Sequence, residues 1–242
     1  MRTILVSNMD GFIDYQIDAV IKFGGSLLNS VETCRRAVAS IVSLSRQGKR
    51  VVVLPGGGPT DNTIEALDRE VHFHSDTHHY ACALAQDQTG LMIADPSFSD
   101  LLAPVRTLSD ARQCLANGKI PVLLPSQIIF AIDPFERTWS ITSDSMAAWF
   151  AWLLHCPCVV ILTDVDGLYP PEDIGKPDRL IREIDASDLI RMGHNAVDAC
   201  FAAFVHTRRI DGWILNGAHP ERIVELLAGS KPLGTFIRGR MP

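Results

Sequence analysis

The sequence predicts an α/β protein: a three-layer α/β/α sandwich around a mostly parallel central sheet. Three observations carry that expectation. Short, fully apolar runs alternate with longer amphipathic stretches, as in sheets covered by helices on both faces. Two of those runs break directly into glycines: Ala19-Val20-Ile21-Lys22-Phe23-Gly24-Gly25-Ser26 and Val51-Val52-Val53-Leu54-Pro55-Gly56-Gly57-Gly58. A third, Val159-Val160-Ile161-Leu162, runs into Thr163-Asp164-Val165-Asp166-Gly167. Ligands in open α/β sheets bind beyond the carboxyl ends of strands, so these junctions are also where function is expected.

Residues 1–18 read as an N-terminal extension with little pattern, and residues 19–23 as the first buried strand. Asn29 or Ser30 caps a helix through about Gln47, with Gly48 as its stop. Val51–Leu54 is a second strand, followed by helices over about 59–70 and 75–88. Residues 92–107 carry no clear period, and Leu101-Leu102 reads as a short strand. Ser109 caps a helix that stops at Asn117-Gly118. Ile120–Leu124 is a strand ended by Pro125, and Ile128–Ile132 reads as another short strand. Ser143-Asp144 opens a helix to about His155, with Thr142 or Ser143 as its cap. Helices are expected over 185–192 and 196–207. Trp213–Leu215 is a strand, Asn216-Gly217 turns into a helix with Pro220 in its first turn, and Thr235–Ile237 reads as a last, edge strand.

Composition narrows the function. The chain has 242 residues, 47% of them hydrophobic, enough for one large domain or two small lobes. A net charge of -6 argues against nucleic acid as a partner. No apolar run reaches the roughly 18–20 residues of a membrane span. The N-terminus shows no cleavable apolar signal, so a cytoplasmic location is expected. The six cysteines are scattered and read as reduced thiols, with Cys156-Pro157-Cys158 at a helix-to-strand junction.

Strand ends that dissolve into glycines bring backbone N–H groups together, which suits phosphate. Lys22 stands at such an end. Alone it reads as a lysine snorkelling to solvent; beside a second glycine junction it reads as a phosphate ligand. Three successive glycines, Gly56-Gly57-Gly58, leave the backbone bare, and no Gly-Lys-Ser/Thr follows to make a P-loop. Trp139-Ser140-Ile141-Thr142-Ser143-Asp144-Ser145 exceeds what helix capping needs. Asp164 and Asp166 could accept ribose or adenine hydrogen bonds, although Asp and Gly are also ordinary turn residues. Histidines 72, 74, 78 and 79 are crowded; a polar helix entry is the plainer reading than a metal site, and His78 or His79 could meet a substrate.

In order, IKFGGSLL, VVVLPGGG, WSITSDSMAAW, VVILTDVDGLY, WILNGAHPERIVELL and GTFI resemble the amino acid kinase superfamily over residues 19–238. The resemblance implies one amino acid kinase-like domain over 19–242. Its acceptor-binding lobe would cover about 19–155 and its nucleotide-binding lobe about 156–242. PVLLPSQIIFAIDPFERTWSITSDS and NGAHPER are similar to the kinase branch of methanofuran biosynthesis. That branch implies transfer of the γ-phosphoryl group of ATP to a phosphate-bearing acceptor, aminomethyl-furan-methyl phosphate. By this resemblance Lys22 neutralises the transferred group and Asp144 organises the lysine. Gly24, Gly25, Thr163, Asp164, Asp166, Leu168, Tyr169 and Lys176 hold the nucleotide. Ser26, Gly57, Gly58, Thr60, Asp61, His78, Trp139 and Thr142 face the acceptor. Mg²⁺ rides on ATP phosphates and water, with no dedicated protein cage. A homo-oligomer is expected. Many members carry a second lysine where this chain reads Gly193-His194-Asn195-Ala196-Val197-Asp198; His206, Arg208 and Arg209 are the candidates to replace its charge. The rival readings are a non-catalytic oxoanion binder resembling molybdenum storage proteins and a nucleotide sensor.

Overall fold

A computed structural model describes residues 13–239, apart from 175, 194 and 195. Most of the N-terminal extension, and His194 and Asn195 of the lysine-free segment, lie outside the described residues. The elements run β1 (Ala19–Phe23), a 3-10 turn Gly25–Asn29, α1 (Val31–Arg46), β2 (Val51–Pro55), α2 (Gly58–Val71), α3 (Ser75–Ile93), β3 (Leu102–Val105) and α4 (Leu108–Ala116). Then come β4 (Ile120–Leu123), α5 (Ser126–Ile132), α6 (Ser143–Leu153), β5 (Cys158–Thr163), β6 (Glu183–Asp185), α7 (Ala186–Met192), α8 (Phe201–Arg208), β7 (Asp211–Asn216), α9 (Glu221–Leu227) and β8 (Thr235–Arg238).

The eight strands form one sheet in the order β3-β4-β2-β1-β5-β7-β8-β6. The first six in that order are mutually parallel; β8 runs antiparallel to β7 and parallel to β6. Strands β1, β2 and β5 are buried on both faces, which explains their unbroken apolar runs. Their side chains alternate between two cores. Ile21, Val53 and Val160 pack with α1 and α9; Val20, Val52 and Ile161 pack with α6 and α8. Helices on both faces complete the three layers expected from the sequence. The caps are local: Ser30 accepts from Thr33 N–H at the start of α1, and Thr142 caps α6.

Four local expectations need correction. Ile128–Ile132 is helix, not strand. The Ser126 N–H and hydroxyl both donate to Asp87 on α3, which starts α5 from outside its own sequence. Residues 196–200 are not helical; α8 begins at Phe201, where Asp198 Oδ1 accepts from the Cys200 and Phe201 N–H groups. Thr235–Ile237 is not an edge, because the three-residue β6 pairs on its far side. Thr107, not Ser109, caps α4.

Candidate functional site

Strand alternation decides where Lys22 points. It shares parity with Val20, and its register neighbours are Leu54 and Ile161, all on the α6 side of the sheet. Asp144, in the first turn of α6, meets it there. Lys22 Nζ lies 2.9 Å from Asp144 Oδ1, and each side chain is only 11% exposed. Burial at that level makes each charge depend on the other.

The two glycine junctions meet beside this pair. The Gly24 N–H donates to Leu162 O at 2.9 Å and the Gly56 N–H to Phe23 O at 2.8 Å, tying each turn to a neighbouring strand end. A Cβ at Gly25 would stand 2.4 Å from the Gly58 nitrogen, so the turns touch where any side chain would intrude. Gly58 has φ +64°, a left-handed conformation that favours glycine. These bare turns and the adjacent ammonium form a cradle that fits phosphate groups.

On the α2–α3 side, Asp61 packs against Gly57. Burial pushes its carboxyl above the usual range, against the opposing pull of a Cys82 hydrogen bond and the nearby Lys22 charge. Burial, with the Asp61 carboxylate beside it, drives the Cys82 thiol far up, so it stays protonated. The Trp139 indole N–H donates to Asp68 Oδ2 at 2.7 Å, which holds that carboxyl low. His78 stacks on Trp139 with ring centroids 5.0 Å apart. Among the described residues, neither ring nitrogen of this buried histidine has a hydrogen bond; Nδ1 stops 3.7 Å from Asp68. Glu65, Trp139, Ser140, Thr142 and Asp198 join Asp61 around a cavity of about 450 Å³. Ser26 is half-buried in the 3-10 turn, while the Thr60 hydroxyl is turned toward Gln88.

The other predicted residues lie beyond β5 and are partnered among themselves. Asp166 receives Arg222 at 2.5 Å and Asn216 at 3.2 Å. Burial pushes its carboxyl up, but these two hydrogen bonds and the Arg222 charge outweigh it and hold the group low. The Thr163 hydroxyl donates to Asp164 at 3.3 Å. Leu168 is fully buried and its N–H donates to Thr235; Tyr169 is buried beside it. Lys176 is exposed and pairs with Asp173 at 2.6 Å.

His206, Arg208 and Arg209 sit at the C-terminal end of α8, which feeds Asp211, the first residue of β7. Asp211 is level with Cys158, at the amino ends of these parallel strands. Lys22 serves the carboxyl ends, so these three residues cannot replace the missing lysine. Arg208 instead stacks over Trp152. Sequence reasoning missed Arg222, Asn216, Asp68 and Asp198. Asn216 and Arg222 had a signal, since both lie in the quoted NGAHPER segment, but neither was given a role. Among the described residues, no group of three or more His, Cys, Asp or Glu side chains is arranged to hold a metal.

The architecture is shared with solved nucleotide kinases. The crystal structure of uridylate kinase from Archaeoglobus fulgidus matches with a TM-score of 0.72 at 20% identity, over 91% of this chain and 100% of that one. UMP kinase from Bacillus anthracis matches with a TM-score of 0.71 at 16% identity, over 92% and 96%. At such identities the likeness shows the fold alone. The model of the amino acid kinase family matches residues 19–216, and the chain belongs to that family. The [5-(aminomethyl)furan-3-yl]methyl phosphate kinase of Methanocaldococcus jannaschii is 30% identical over 220 residues, covering 91% of this chain and 97% of its own. A uridylate kinase of Methanococcoides burtonii is 24% identical, over 86% and 90%. As a member of this family the protein is a phosphotransferase.

Proposed function

We propose that the protein transfers the γ-phosphoryl group of ATP to the phosphate of a small, amine-bearing acceptor, aminomethyl-furan-methyl phosphate. The observation that carries this reading is the charge pattern around the Lys22 centre. One end holds Lys22 and the touching glycine turns, suited to phosphates. The other end is a cavity whose available carboxylates are Asp61 and Glu65, beside the Trp139 ring; Asp198 also lines it but is taken up by its own donors, and among the described residues no lysine or arginine lines it. An acceptor with phosphate at one end and a cationic amine at the other fits both. A uracil ring brings no cation to meet these carboxylates. The substrate in the name of the Methanocaldococcus relative has this polarity.

Bound ATP with Mg²⁺ supplies the transferable phosphoryl group and shields its charge. The chain's own part is alignment and neutralisation. The Gly24 N–H is taken up by Leu162 O, so Gly24 would serve by leaving the turn bare; the Gly25 N–H would meet the nucleotide phosphates, and Gly57 and Gly58 the acceptor phosphate. Lys22 would carry positive charge to the group in flight, its position fixed by Asp144. Thr163, Asp164, Asp166, Leu168, Tyr169 and Lys176 would shape the nucleotide side. Ser26, Thr60, His78 and Thr142 would border the acceptor.

The test is ATP consumption with the furan monophosphate, UMP, acetylglutamate and isopentenyl phosphate in parallel. The furan monophosphate is expected to give the highest kcat/KM. No turnover with it, or preference for UMP, overturns the acceptor assignment. Self-association and a cytoplasmic location belong to the same reading; among the described residues no helix is long and apolar enough to cross a membrane.

A further inference from the structure

The segment that lacks the second lysine still returns to the Lys22 centre, and what it delivers is an acid. Asp198 is buried, and six donors converge on its carboxylate. Oδ2 accepts from the Thr142 N–H at 2.8 Å, the Thr142 hydroxyl at 3.0 Å and the Ser145 N–H at 2.9 Å. Oδ1 accepts from the Ser145 hydroxyl at 2.5 Å, the Cys200 N–H at 3.1 Å and the Phe201 N–H at 3.0 Å. One carboxylate thus closes the amino ends of both α6 and α8.

The Thr142 hydroxyl has a second duty. It donates its proton to Asp198 and accepts from the Asp144 N–H at 3.4 Å. Its orientation is therefore set by Asp198, and Asp144 is the next link. Asp144 in turn holds Lys22. The chain of contacts runs Asp198, Thr142, Asp144, Lys22, and each link is a hydrogen bond or ion pair. Ser145, on the other side of Asp144, is fixed twice by the same carboxylate. The residue that aims the lysine is thus clamped from both neighbours.

We infer that Asp198 is the positioning residue of the phosphoryl-transfer centre, fixing the first turn of α6 so that Asp144 presents Lys22 in register. This inference rests on the phosphotransferase activity but not on the identity of the acceptor. Its role follows from its donors. Asparagine has the same shape, but its NH₂ would face three of the six donors, two of them backbone N–H groups that cannot turn away. Alignment errors near 1 Å at such a centre reach about 100-fold in rate.

The test compares Asp198→Asn with wild type on whichever acceptor the wild type phosphorylates. Val205→Ala, a core change within α8, is the control matched for loss of Tm. In Asp198→Asn, kcat is expected to fall about 100-fold while KM for ATP moves less than about threefold. Val205→Ala is expected to lose stability without that fall. If Asp198→Asn does not fold, Thr142→Val and Thr142→Ser decide: the serine variant, which keeps the hydroxyl link, is expected to be at least about tenfold faster than the valine variant. A folded Asp198→Asn with kcat within about threefold of wild type overturns the inference. So does a loss lying wholly in KM, a loss no greater than that of the control, or equal rates in the two Thr142 variants. If no acceptor turns over, the acceptor assignment has failed separately, and slow ATP hydrolysis by the enzyme alone is the rate compared. Absence of that hydrolysis in the wild type overturns both the kinase reading and this inference.

Discussion

Around the junction of β1 with β2, polar groups are buried without partners; beyond β5 and β7, the predicted side chains already satisfy one another. Among the described residues, Asp61 Oδ1 and both His78 ring nitrogens find no hydrogen bond. Asp166, by contrast, is held by Arg222 and Asn216, and Lys176 by Asp173. An unanswered buried polar atom costs about 1–3 kcal/mol, so on the proposed reading the first region is a site kept ready at the expense of stability. The second is a scaffold whose exposed surfaces and backbone would do the recognising. Selectivity for the acceptor is therefore expected from side chains on the β2–α3 side. Nucleotide binding is expected to tolerate single side-chain changes.

The contrast breaks most sharply at the Lys22–Asp144 pair, which belongs to both regions. Asp144→Ala leaves a buried ammonium alone. Stability is expected to fall by roughly 3–5 kcal/mol, read as a denaturation midpoint, with turnover lost in parallel. A smaller effect is expected at Asp61, whose carboxyl is raised in the folded state, chiefly by burial. The acid form is thus favoured on folding. Its stabilising contribution is complete below the ordinary carboxylate range and is lost as pH rises through the raised folded value. Asp61→Asn, which cannot ionise, is then expected to raise Tm at pH ~8 and leave it unchanged at pH ~4. A gain of equal size at both pH values would contradict the burial argument. Acceptor KM is expected to rise in the same variant, as a carboxylate in the cavity is lost.

On the far side, Arg222→Ala frees Asp166 to titrate nearer the ordinary carboxylate range. ATP KM is expected to change by less than about fivefold, since on the proposed reading nucleotide recognition there would rest mostly on backbone. A change of about 100-fold would make Arg222 a direct phosphate ligand. The smallest effect is expected for Lys176→Ala. Its ammonium is exposed and paired with Asp173, an arrangement worth about 0–1 kcal/mol, so ATP KM and Tm should both stay close to wild type.

How much of this was legible follows from the range of each interaction. The buried strands, the glycine turns and the capped start of α6 are local patterns, and strand parity alone sends Lys22 toward that helix. Asp198 was not legible, because its Thr142 and Ser145 partners lie 56 and 53 residues away. Nothing in Ala196-Val197-Asp198 marks it except the absence of a lysine nearby. The same distance problem turned α5 into an expected strand. A short apolar run has no period of its own, and its helix start is supplied by Asp87, 39 residues back. β6 is three residues long with acidic ends, too short and too polar to read, so Thr235–Ile237 looked like an edge. Arg222 closes the quoted NGAHPER segment, but its role was not legible: an arginine in the first turn of a surface helix is ordinary until Asp166 is found opposite.

The most direct measurement is phosphoryl transfer from ATP by Lys22→Ala, under single-turnover conditions, with the fold checked by circular dichroism and ATP binding measured separately. Among the described residues, Lys22 is the only lysine in β1 and β5. A folded variant that binds ATP but transfers at least about 1000-fold more slowly is expected if this ammonium stabilises the moving charge. Transfer within about threefold of wild type would contradict a phosphoryl-transfer centre built on Lys22.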